Sequence, residues 1–235
     1  MSSLNIYVRS YNRYDNIQTG KLVDYCTYVV RKSQEDKYKA AGVKTLGVED
    51  DQISGGAKVL NWLIENAPED VIVVLDDDIK RFKYRLDNFY PIEDTTVATQ
   101  ELERMAQLVY DLDIAYATVA GHTNLKYYDR PFKFVGVNAG VKVFNRRKVK
   151  GRFDQSIRFL YDDDFQMQEL LHNRIVLLSE YFLVDSYLDT NKGGANDNKS
   201  ADEWWFNHEE MCRRWGKYYI PPTGDSGSGR LNVKR

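Results

Sequence analysis

The stretch Val71-Ile72-Val73-Val74-Leu75-Asp76-Asp77-Asp78-Ile79 constrains the fold more than any other part of the chain. Five apolar residues, four of them β-branched, run without a polar break and then meet three carboxylates. A short run without alternation is a strand buried on both faces, as found in an α/β sheet flanked by helices. The acids then fall at its C-terminal end, where open α/β sheets hold their ligands. Three adjacent carboxylates raise one another's pKa unless a cation sits among them. A hard divalent ion with oxygen ligands meets that need, with Asp76, Asp77 and Asp78 as its ligands. A solvated acidic turn is the plain alternative.

The flanking sequence alternates strands with helices, which predicts parallel pairing and right-handed crossovers. Strands are expected over residues 5–9, 27–31 and 44–48, with a polar loop Ser10-Tyr11-Asn12-Arg13 after the first. Residues 19–25 read as a short helix, and Ser33 is placed to cap another over 34–41, ended by Gly42. Ser54-Gly55-Gly56 opens a helix carrying Val59, Leu60, Leu63 and Ile64 at helical spacing, and Asn66-Ala67-Pro68 closes it. Glycines at a helix N-terminus let a ligand approach the free amides, or simply make a tight turn. Further on, Met105, Leu108, Val109 and Leu112 mark a helix, 114–119 a strand, and 134–144 a pair of strands around a glycine-containing turn.

A second acidic cluster, Asp162-Asp163-Asp164, precedes a helix with Met167, Leu170 and Leu171 on one face. Acids there offset the macrodipole and cap free amides, although capping does not need three of them. Strand-like runs follow at 175–178 and 181–184, then a polar loop over 190–198. Trp204, His208, Met211 and Trp215 share a helical stripe, where a histidine is more often packed than liganding. Residues 221–235 read as a flexible tail.

The 235 residues allow one large α/β domain or two small ones, and no interdomain linker or repeat divides them. No apolar run reaches the roughly 18 residues of a membrane span. Met1-Ser2-Ser3-Leu4-Asn5 has neither the basic flank nor the apolar core of a signal peptide, and Cys26 and Cys212 have no metal-type spacing. A cytoplasmic monomer is expected. With a net charge of −2, attraction to nucleic acid would have to come from local patches.

If both acidic clusters line one pocket, they can divide the work. A metal on the first would offset charge developing on a leaving diphosphate, and a free carboxylate in the second would deprotonate an acceptor hydroxyl. This arrangement resembles the GT-A nucleotide-sugar glycosyltransferases, whose Asp-x-Asp motif after a buried strand holds Mn2+ or Mg2+. Asp76 and Asp78 match that motif. The resemblance implies one GT-A (Rossmann-like) domain over 4–220, with a mostly parallel mixed sheet flanked by helices. Residues 4–79 would form its nucleotide half and 80–220 its acceptor half. It implies a UDP-sugar donor held by Arg9, Ser10, Tyr11, Asn12, Arg13, Ser33, Gly55, Gly56, Asp76 and Lys192, with His208 as a further metal ligand. Asp162-Asp163-Asp164 resembles the motif carrying the base in inverting members, often written Glu-Asp there; Asp163 is favoured as base over Asp162 and Asp164.

Within that family the chain looks most like the small phage transferases of modified DNA bases. Their likeness implies transfer of glucose or arabinose to the hydroxymethyl group of 5-hydroxymethylcytosine in double-stranded DNA, and a host-cytoplasm location. Two basic segments suit a phosphate backbone: Lys80, Arg81, Lys83 and Arg85 beside the acids, and Arg146, Arg147, Lys148, Lys150 and Arg152 further on. Solvated surface charge explains either segment equally well. Clustered acids with basic patches also fit a metal-dependent nuclease or phosphodiesterase, a GT-A enzyme with a non-DNA acceptor, or a DNA-binding module with structural acids.

Overall fold

A computed structural model describes residues 4–121, 124–136, 138–187, 200–224 and 229–234. In chain order the elements are β1 (Leu4–Arg9), β2 (Thr27–Arg31), α1 (Glu35–Ala40), β3 (Thr45–Val48), α2 (Gly56–Asn66), β4 (Val71–Asp76), β5 (Ile79–Arg85), β6 (Phe89–Ile92), α3 (Thr95–Asp111), β7 (Tyr116–Ala120), β8 (Phe132–Lys133), β9 (Asn138–Asn145), α4 (Tyr161–Asn173), β10 (Leu177–Ser179), β11 (Phe182–Ser186), α5 (Ala201–Trp215), β12 (Tyr219–Ile220) and β13 (Arg230–Leu231). An eight-stranded sheet in the order β3-β2-β1-β4-β9-β7-β10-β8 forms the centre. Its strands run parallel except β9 and β8, which are antiparallel to their neighbours.

The apolar run explains why β4 lies in the interior. Val71, Val73 and Leu75 join one core layer with Leu102, Met105 and Val109 of α3, while Ile72 and Val74 join the other with Leu60 and Leu63 of α2 and Phe165 of α4. Helices therefore cover both faces, and a strand buried on both faces has no polar position to alternate with. Burial of the five side chains of 71–75 contributes on the order of 10 kcal/mol of apolar transfer free energy before chain entropy is set against it.

The expected paired strands over 134–144 do not form with each other. β9 instead inserts between β4 and β7, and β8 pairs with β10. Val141 and Val143 face one core layer and Phe144 the other, so β9 needs a helical layer on each side and a neighbour at each edge. The helix expected over 34–41 begins at Glu35, and Ser33 does not cap it: its N–H and hydroxyl bind the Asp50 carboxylate at 3.0 and 2.5 Å.

β5 forms a separate three-stranded antiparallel sheet, β11-β5-β6. The segment expected to be a flexible tail returns to the domain, since β13 pairs with β12 and the Asn232 N–H donates to the Tyr218 carbonyl at 2.8 Å. Gly229 fits there because a Cβ would collide with the Tyr219 hydroxyl. Among the described residues, no helix is long and apolar enough to cross a membrane.

Candidate active site

Parallel β1 and β4 end side by side, with Arg9 in register with Asp76, so the loop after β1 and the acids after β4 share one sheet edge. Thr19 fixes the acidic turn: its hydroxyl donates to the Asp76 carbonyl at 2.8 Å and accepts from the Ile79 N–H at 3.1 Å. The Tyr187 N–H donates to the Asp78 carbonyl at 2.9 Å.

The three acids have different surroundings. Asp76 accepts from Arg9 Nε at 2.5 Å. Burial pushes its carboxyl up, but Arg9 and then Lys142 outweigh this and hold it at about 2. Asp77 accepts from the Ser10 hydroxyl at 2.5 Å and from the Arg13 guanidinium, so both its oxygens are engaged within the chain. Burial nevertheless raises it. Asp78 lies 3.6 Å from Arg13, and burial, then Asp76 and Asp77, push it up to about 6. This carboxyl has too little positive charge around it.

The loop after β1 is set by residues that its own sequence does not reveal. Tyr38 of α1 bonds the Ser10 hydroxyl at 2.7 Å and accepts from the Arg13 N–H at 3.0 Å. Gln34 accepts from the Asn12 N–H and donates to its side chain at 2.6 Å, holding Asn12 at φ 57°. Tyr11 is exposed, with the Arg31 guanidinium 4.3 Å above its ring.

The second acidic cluster reaches the same place. Arg9 donates from Nη1 to the Tyr161 hydroxyl at 2.8 Å, joining β1 and β4 to the first residue of α4. The N-terminus of α2 closes the gap. Gly55 has φ 121°, and a Cβ on Gly56 would stand 2.5 Å from the Tyr161 hydroxyl and 2.9 Å from Arg9 Nη1. Only glycine allows that approach. Asp162 lies 3.4 Å from the buried ammonium of Lys142 on β9, while its Oδ1 is buried without a hydrogen-bond partner. Asp163 makes no hydrogen bond or ion pair among the described residues, and burial, then Asp162, push it up to about 7.

Asp164 departs from expectation. It is fully buried and accepts from Trp215 Nε1 at 2.9 Å and Gln168 Nε2 at 2.7 Å, with Arg214 at 3.4 Å. Both its oxygens are engaged within the chain, and they tie α4 to α5. Asp77, expected as a metal ligand, likewise has both oxygens engaged, by Ser10 and Arg13. His208, expected as a further metal ligand, is buried on α5: Nδ1 pairs with the Tyr219 hydroxyl at 2.5 Å, Trp204 stands against its ring, and Nε2 has no hydrogen-bond partner. Burial lowers its pKa. Lys192 and the 190–198 loop lie outside the described residues.

The basic segments do not form one surface. Lys83 is buried and pairs with Asp185, Arg81 approaches the same carboxylate at 3.6 Å, and Arg85 is buried against Glu180 at 2.9 Å. Only Lys80 of that group is fully exposed. Arg146 donates to the Ile64 and Glu69 carbonyls at 2.6 and 2.8 Å, finishing the end of α2. Lys148 pairs with Asp113 at 2.5 Å, Arg152 with Glu65, and Arg147 approaches Asp70 at 3.9 Å. Asn145 pairs with Val71, the first residue of β4, so this segment begins at the opposite end of the sheet from Asp76.

No protein-family model matches the chain, and no curated protein matches it in sequence. Solved structures do match. Staphylococcus aureus TarS 1–349 in complex with UDP superposes with a TM-score of 0.52 at 11% identity, covering 90% of this chain and 64% of that one. Glucosyl-3-phosphoglycerate synthase from Mycobacterium tuberculosis with phosphoglyceric acid gives 0.50 at 11% identity, covering 94% and 82%. A mycobacterial protein gives 0.50 at 10% identity, covering 97% and 83%. The fold is GT-A. At such identities the likeness is one of fold, and the chain spans just under two thirds of the TarS fragment. Within the GT-A fold the sequence had indicated Arg9 and the two acidic clusters, but not Lys142, Tyr161, Tyr38 or Thr19. Each of those four belongs to an otherwise ordinary element, and only the sheet order brings it to the acids.

Proposed function

We propose that this chain is a metal-dependent glycosyltransferase that moves a sugar from a UDP-sugar to an acceptor hydroxyl. The observation that carries the reading is the meeting of both acidic clusters at one sheet edge, linked by Arg9 between Asp76 and Tyr161. The UDP complex of TarS, whose fold this chain shares, supports the donor class.

The site fits a metal that the donor helps to hold. Among the described residues no group of three or more His, Cys, Asp or Glu is arranged to bind a metal alone. Asp76 and Asp78 are two carboxylates, and the high Asp78 pKa marks a place that a cation would stabilise. Mg2+, and by the same oxygen-ligand chemistry Mn2+, fits one or two carboxylates with substrate phosphates completing its shell. Bound there, it would neutralise the leaving diphosphate. Arg9 and Arg13 would then lie beside the diphosphate, and the glycine-opened N-terminus of α2 would offer free amides to it. Asp163, unpaired and with a pKa near the working pH, would take the acceptor proton.

The finer reading is 5-hydroxymethylcytosine in DNA as acceptor, with glucose or arabinose as the sugar. Its support is the likeness of the opening loop, the Gly-Gly helix start and the acidic strand to the phage enzymes. Exposed Lys80 is the basic residue on the metal-site side available to a phosphate; Lys83 and Arg146 are engaged internally. One assay separates the alternatives: incubation with UDP-glucose or UDP-arabinose, Mn2+ and either hydroxymethylated or plain DNA. UDP release with labelled DNA supports DNA transfer, and release equal on both DNAs supports another acceptor. Nicked DNA without UDP release supports the nuclease, and neither product together with no Mn2+-dependent binding of UDP overturns the transferase reading.

A further inference from the structure

Lys142 occupies a position that packing alone would give to an apolar residue. It lies mid-strand on β9 beside Val74 of β4 and Thr118 of β7, fully buried on the α4 side of the central sheet. An ammonium in such a place is retained only with a partner, because removing it from water is costly. Its ion-pair partner is Asp162 at 3.4 Å, and Asp76 lies within its electrostatic reach. Asp162 Oδ1 is buried without a hydrogen-bond partner, and Asp162 is the strongest charge acting on buried Tyr116 of β7.

We infer that Lys142 is a positioning residue that joins the two acidic clusters: it holds the Asp162 carboxylate toward the donor side and leaves Asp163 as the carboxylate facing the acceptor. This rests on the proposed transferase reading for its use, but not for its electrostatics. Asp162 and Asp163 are neighbours on the first turn of α4 and would compete for the same role. Lys142 removes the competition by engaging only one of them. The charged and titratable groups around the pair are Arg9 of β1, Lys142 of β9, Tyr116 of β7, Tyr161 of α4 and Tyr219 of β12, with His208 of α5 behind Tyr219. Among the described residues, Lys142 is the cation that ion-pairs with Asp162, and none ion-pairs with Asp163.

The test is a carboxyl titration of the full chain, labelled with 13C at aspartate Cγ, assigned by its loss in Asp163→Asn. The readout is the highest-pH aspartate step, the one lost in Asp163→Asn. In Lys142→Met, which keeps the volume and removes the charge, that step should move up by about one pH unit; in Asp162→Asn it should move down by about one. A merely structural lysine predicts no movement in Lys142→Met, whereas the Asp162→Asn move checks only that Asp162 is the charge that raises Asp163. Mn2+-dependent binding of UDP is followed on the same samples. An unmoved step in Lys142→Met overturns the inference even if the wild-type protein binds UDP. A moved step in a protein that binds no UDP with Mn2+ upholds the coupling and rejects the transferase reading. Should Lys142→Met fail to fold, Lys142→Gln, which keeps a polar side chain of similar length and removes the charge, decides in its place: an upward move supports the inference and a fixed step rejects it.

Discussion

Replacing Asp163 by Asn should make the protein inactive and, above neutral pH, more stable. Burial, then the charge of Asp162, lifts this carboxyl to about 7 from an ordinary 3.8. Because the folded-state pKa is raised, the native state binds a proton that the unfolded chain releases, and stability falls as pH rises from about 4 to 7. At about 1.4 kcal/mol per tenfold, the full gap corresponds to about 4 kcal/mol. The side chain is partly open to solvent, so about 2–3 kcal/mol is the figure to expect after screening. Asparagine keeps the shape and carries no charge to bury. Urea unfolding of both proteins at pH 4.5 and pH 8 measures the effect. The variant should match wild type at the lower pH, exceed it by 2–3 kcal/mol at the higher, and release no UDP. A stability difference that is the same at both pH values would refute the placement of a protonated carboxyl in this pocket. A stabilised and inactive variant is the usual signature of a group kept for chemistry at a cost to folding.

Asp78→Asn should raise the unfolding midpoint at pH 8 but not at pH 4, by the same linkage as Asp163, and abolish Mn2+-dependent UDP binding, as read by calorimetry; retained binding removes Asp78 from the ligand set. His208→Phe should keep metal-dependent binding and lower stability by about 1 kcal/mol through loss of the Tyr219 hydrogen bond, checked by urea unfolding. Arg146→Ala should destabilise the fold by about 1–2 kcal/mol because two half-buried carbonyls lose a charged donor, with no change in the salt dependence of DNA binding; a flatter salt slope in a filter-binding assay would return Arg146 to a DNA surface.

The parts of this fold that were legible in the sequence are those whose cause is local. The β4 run is continuous because helices cover both faces of the sheet, and the three acids mark the strand's end. The Ser54-Gly55-Gly56 start of α2 reads from the backbone freedom that close contact with Arg9 and Tyr161 requires. What stayed hidden depends on partners distant in the chain. Lys83, Arg85 and Arg146 look like surface charge until Asp185, Glu180 and two carbonyls are placed beside them. Local periodicity in β9 reveals a strand but not its neighbours, so its insertion between β4 and β7 was read as a hairpin, and Lys142 went unnoticed with it. Asp162, Asp163 and Asp164 are alike in sequence, and only Lys142, Trp215 and Gln168 distinguish them. The tail seemed loose because its glycines suit a linker, whereas Gly229 makes room for the Tyr219 hydroxyl.

On the proposed function, Asp76 and Asp78 hold a UDP-sugar through a divalent cation. Isothermal titration of UDP into the full chain, with Mn2+ and then with EDTA, decides whether they do. One UDP should bind per chain with Mn2+, with a loss of at least tenfold in affinity with EDTA, reproduced by Asp78→Asn in Mn2+. Equal binding with Mn2+ and EDTA, or no binding in either, would contradict it.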